Sequence, residues 1–64
     1  MRNNVRKLRK ELDISQEKLA TAIGVSRHTI IGIEKGKQEP SGALVIKISN
    51  FFNKDPREIF LLIV

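Results

Sequence analysis

Cysteine is absent from this chain of 64 residues, and histidine occurs once. Disulfides and thiolate metal sites are thereby excluded, and a multi-histidine metal site cannot be assembled. The chain also has no phosphate-cradling glycine loop and no paired carboxylates on an apolar pocket. Nothing is left to perform catalysis, and the reading is a non-enzyme without metal or cofactor. Long apolar runs are missing too. The longest, Ile59 to Val64, falls far short of the roughly 20 residues a membrane span needs. Met1 leads into Arg2, Arg6, Lys7, Arg9 and Lys10 rather than an apolar stretch, so no secretory signal is expected and the protein is read as cytoplasmic.

The hydrophobic share, 41%, lies in the globular range, and the length predicts one domain over residues 1–64 with no substrate lobe. A core this small contributes only about 3–5 kcal/mol net. Twelve Lys and Arg against seven Asp and Glu leave a net charge of +5. Such a surface attracts polyanions, nucleic acid above all, although basic charge serves solubility equally well.

Helical signals run through the whole chain. Val5, Leu8 and Leu12 follow an i, i+3, i+7 pattern and predict a first helix over 3–12. Ser15 reads as the N-cap of a second, with Glu17 in its first turn and Ile14 and Leu19 as a hydrophobic staple. That helix ends at Gly24. Ser26 repeats the device with Val25 and Ile30, starting a third helix that runs from Arg27 to about Lys35 and stops at Gly36. Ser41 caps a fourth, which carries the stripe Leu44, Val45, Ile48, Phe51 and Phe52. Asn53 suits a left-handed end, and Asp55-Pro56-Arg57-Glu58 starts a fifth helix with an N-cap, a first-turn proline and a variant capping box. The fold class is all-α.

Helices two and three are separated only by Gly24-Val25-Ser26. The glycine permits a sharp turn, Val25 packs beneath it, and Ala20 allows close approach. Turn length alone fits an ordinary helical hairpin equally well. Taken with Val5-Arg6-Lys7-Leu8-Arg9, Ser15-Gln16-Glu17-Lys18-Leu19-Ala20, Gly24 to Ile30, Ile33-Glu34-Lys35-Gly36-Lys37, Pro40-Ser41 and Asp55 to Phe60, the chain resembles the Cro/C1-type (Xre-like) helix-turn-helix regulators of phage and prokaryotes. The resemblance implies a compact five-helix, lambda-repressor-like DNA-binding domain with the helix-turn-helix in helices two and three. It further implies a sequence-specific regulator of transcription, a repressor, that lays helix three in the major groove of double-stranded DNA.

Residue by residue, the resemblance puts Gln16 on the phosphate backbone at the start of helix two, where free amides also favour an anion. Ser26, Arg27 and His28 fall at the start of the recognition helix, and arginine suits guanine O6 and N7. A phosphate contact for Arg27 and an idle surface position for His28 are the plainer alternatives. Lys35 and Lys37 are expected on phosphates. Ile31 stands where small polar residues are usual and fits a thymine methyl or simple exposure. Gly32 replaces a longer side chain, at about 1 kcal/mol relative to alanine, and leaves less direct readout. Asp13 replaces a common glycine, which aspartate tolerates. Arg9 and Glu34 match an internal ion pair of the family, whereas Lys7 and Lys10 read as a solvated face.

The run Ile59, Phe60, Leu61, Leu62, Ile63 and Val64 has no polar face and is expected to form a homodimer interface, giving two recognition helices about 34 Å apart; the alternative is a tail that folds back and caps the monomer core. The rival function is an antitoxin-like or adaptor module whose main task is binding a protein partner. Sequence-specific duplex binding separates the two.

Overall fold

The computed structural model describes residues 2–60. Five helices follow one another: α1 Val5–Glu11, α2 Gln16–Ile23, α3 Arg27–Glu34, α4 Gly42–Phe52 and α5 Pro56–Phe60. Among the described residues there is no strand. Helix starts follow from side-chain chemistry. The hydroxyls of Ser15, Ser26 and Ser41 accept the backbone N–H three residues on, at 3.0, 3.2 and 3.2 Å, and each satisfies a donor with no partner inside its helix. Before α5, Asp55 Oδ1 accepts from Arg57 N, and Glu58 Oε2 reaches back to Asp55 N at 3.1 Å, which closes the capping box.

The ends obey one rule. Asp13, Gly24, Gly36 and Asn53 all adopt left-handed backbone, with φ of 56°, 75°, 74° and 54°. In each case the next residue donates its N–H to a carbonyl five positions back: Ile14 to Arg9, Val25 to Ala20, Lys37 to Gly32 and Lys54 to Ser49. This is the Schellman arrangement, and it turns the chain sharply while satisfying a terminal carbonyl. Ile14 and Val25, just past two of these turns, pack on the core.

Val5, Leu8, Leu19, Ala20, Ile23, Ile30, Ile33, Ile48, Ile59 and Phe60 form that core. Three expectations change here. The first helix begins at Val5 rather than at residue 3, because Asn3 and Asn4 are used as ties. Asn3 Nδ2 donates to Ile33 O at 2.7 Å near the end of α3, and Asn4 bonds α5 through its backbone to Ile59 O and its side chain to Glu58 O. Leu12 and Phe51 are exposed although the periodicity put them inward. Leu12 lies beyond the last turn of α1, and Phe51 stands edge-on to Phe52, which takes the inward place. Finally, Ile59 and Phe60, expected at a dimer interface, are 0% and 1% exposed within the chain's own core. Leu61, Leu62, Ile63 and Val64 lie outside the described residues.

Candidate nucleic-acid interface

The short turn between α2 and α3 brings the start of both helices to one side of the molecule. Beneath them lies an ion pair that fixes α3 on α1. Arg9 Nε donates to Glu34 Oε2 at 2.8 Å and Nη2 to Oε1 at 3.3 Å, with the side chains 11% and 4% exposed. The remaining guanidinium nitrogen donates to Ile14 O at 2.8 Å, so Arg9 also anchors the turn after α1. Gln16 Nε2 adds a third contact, donating to Glu34 Oε1 at 3.1 Å. Glu34 is therefore neutralised and fully engaged, and among the described residues no buried side-chain polar atom lacks a partner.

Around this network the surface forms two grooves that meet at Gln16. One is walled by Arg6 and Lys10 of α1, by Ile31 of α3 and by Lys35 at its C-cap. The other is lined by Ser15, Gln16, Glu17 and Arg27. Because Arg9 cancels Glu34, the uncompensated charge on this side is Arg6, Lys10, Arg27 and Lys35 against Glu17. A positive rim along an open groove suits a polyanionic backbone.

The structure thus brings together four of the residues singled out in the sequence: Gln16, Arg27, Ile31 and Lys35. An amide carries two N–H donors, so Gln16 keeps one after serving Glu34. Ser26 is committed to its cap, with Oγ on Thr29 N and 3.1 Å from Thr29 Oγ1. His28 and Lys37 are exposed, on the first turn of α3 and in the loop after it, and line neither groove. Lys10 is exposed, as expected of solvated charge, and with Arg6 it walls the first groove. The signal was their spacing from Arg9: residues three before and one after the ion-paired arginine flank the line along which α1 meets α3. Among the described residues, no group of three or more His, Cys, Asp and Glu could hold a metal ion, and no helix is long and apolar enough to cross a membrane.

Residues 5–59 match the family described as helix-turn-helix. The chain belongs to the Cro/C1-type helix-turn-helix family. Its members are DNA-binding transcription regulators and not enzymes. An HTH-type transcriptional regulator of Methanocaldococcus jannaschii is 46% identical over 61 residues, covering 95% of this chain and 92% of that protein. The cryptic phage CTXphi transcriptional repressor RstR of Vibrio cholerae is 40% identical over 50 residues, covering 78% of this chain and 45% of the repressor. Among solved structures, the P22 c2 repressor in complex with a synthetic operator superposes with a TM-score of 0.79 at 32% identity, over 83% of this chain and 80% of that one. The restriction-modification controller protein C.AhdI of Aeromonas hydrophila gives 0.77 at 33% identity, over 84% and 82%. The helix-turn-helix fold is thus common ground between this chain and these proteins.

Proposed function

We propose that this helix-turn-helix protein is a cytoplasmic, sequence-specific repressor that lays α3 in the major groove of duplex DNA. The observation that carries the reading is the basic rim of Arg6, Lys10, Arg27 and Lys35 around the exposed side of α3, with the one acidic residue beneath it neutralised by Arg9. Arg27, on the first turn of α3, reads a base edge, and guanine is the best match for a guanidinium. Ser26 and His28 stand beside it, and Ile31 presents apolar surface to a thymine methyl. Gln16, Lys35 and Lys37 hold phosphates, joined by Arg6 and Lys10. The operator-bound P22 repressor supports this orientation by likeness.

Two copies read two half-sites about 34 Å apart, as expected for a short recognition helix. With Ile59 and Phe60 taken up by the core, Leu61, Leu62, Ile63 and Val64 remain as the contact between copies. Selection from random duplexes, followed by titration at increasing salt and sedimentation with and without residues 61–64, tests both parts. A palindromic selected site, a steep salt dependence and loss of the dimer on truncation are expected. Weak binding that selects no sequence would overturn the repressor reading, and a monomer at tens of micromolar would overturn the dimer.

A further inference from the structure

Gly32 is the anomaly of α3. Ile30 and Ile33 face the core and Ile31 lines the groove, so position 32 falls on the outer side of the helix, four residues after His28 and three before Lys35. A long side chain here would point away from the core alongside the other DNA-facing positions. Glycine in a helix interior costs about 1 kcal/mol relative to alanine, so its presence calls for a reason.

The reason lies in the loop after α3. A Cβ at position 32 would stand 3.0 Å from Gln38 Oε1 and 3.1 Å from Gln38 Cβ, closer than such atoms ordinarily approach. Gln38 therefore lies against the helix where the missing side chain would emerge. Its backbone is fixed there, because Gly32 O accepts both Lys37 N at 3.0 Å and Gln38 N at 3.1 Å. The left-handed Gly36 makes that return of the chain possible. Gln38 itself is exposed, and among the described residues its side-chain amide has no hydrogen-bond partner.

We propose that Gln38, delivered from the loop onto the bare surface of Gly32, reads a base in place of the side chain that α3 lacks, and that the base is adenine. A glutamine amide offers one donor and one acceptor at the spacing of adenine N7 and N6, and both groups are open to a partner. Gly32 acts as a positioning residue in this arrangement. Without a side chain it lets the loop close down on the recognition helix. The assignment rests on the docking of α3 proposed above.

Site selection with the wild-type chain and with Gln38→Ala, Gln38→Glu and Gly32→Ala tests it, alongside thermal melts. Gln38→Ala should lose preference at one base pair per half-site and bind the best site about tenfold more weakly, with an unchanged salt slope because no charge is removed. Gln38→Glu should move the preference at that pair from adenine toward cytosine, whose amino group a carboxylate accepts. Gly32→Ala, whose methyl occupies the space of Gln38, should lose preference at the same pair. An exposed side chain carries little of the fold, so melting of both Gln38 variants should stay within a few degrees of wild type. If the wild type selects a defined site and both Gln38 variants select it unchanged, the assignment is overturned while DNA reading stands. A wild-type chain that selects no sequence overturns the DNA-reading function and this assignment with it.

Discussion

Arg9 and Glu34, 25 residues apart, meet through two charge-assisted hydrogen bonds on the inner side of the groove, and water reaches little of either side chain. Removing one partner leaves the other charge buried and unpaired, at a cost of about 3–5 kcal/mol, enough to unfold a domain of this size. Denaturant melts of Arg9→Met and Glu34→Gln should show losses of that order. The double variant should recover part of the loss, since neither charge is then stranded. Losses of a few tenths would refute the buried pair.

Arg27→Ala should weaken the best DNA site by about 1–3 kcal/mol and flatten preference at one base pair. Lys10→Gln should behave differently, weakening all sequences alike and lowering the log–log salt slope by about 0.9. Fluorescence anisotropy at several salt concentrations separates the two. A Lys10 variant with an unchanged slope would remove Lys10 from the phosphate-binding rim.

How much of this was legible beforehand depends on the range of each interaction. The serine caps and left-handed ends are set within about six residues, so Ser15, Ser26, Ser41, Gly24 and Gly36 announced themselves in the sequence. Leu12 and Phe51 were misplaced because periodicity gives the side of a helix without saying what covers it. Arg6 and Lys10 become groove residues only once α1 is pinned to α3, a relation between segments 25 residues apart. Gly32 reads in the sequence as a loss of readout, and although Gln38 is only six residues on, its packing against Gly32 depends on how the loop after α3 folds. Ile59 and Phe60 read as dimer interface in the sequence because the partners that claim them, Asn4 and the core, lie far off along the chain.

Asp13 holds φ at 56° on an exposed turn, a conformation that costs an L-residue energy and glycine almost none. Asp13→Gly should stabilise the domain by up to about 1 kcal/mol, a rise of several degrees in Tm for a chain this small. Asp13→Ala should lower Tm. Equal melting of all three forms would show that the turn relaxes.

Asp55 has its pKa held below the ordinary 3.8, first by the side-chain hydrogen bond from Arg57 and then by the Arg57 backbone N–H. A carboxylate with a depressed folded-state pKa stabilises the native state above 3.8, and the contribution fades as pH falls through the lower folded value. Asp55→Asn should therefore melt below wild type at neutral pH, with the two curves converging in acid. The group is fully exposed, so the gap should be small and should shrink further in high salt. A gap independent of pH would assign the effect to the cap's shape rather than its charge.

Asn4 bonds Glu58 O and Ile59 O across an interval of 54 residues or more, whereas every helix cap closes within a few positions. Local segments form quickly, and a contact between distant parts of the chain must first meet the entropy of closing nearly the whole sequence into a ring. The docking of α5 on Asn4 is therefore expected to form late, after the folding transition state. Weakening it should leave the refolding rate nearly untouched and quicken unfolding, so that a clasp between Asn4 and α5 would set the lifetime of the native domain.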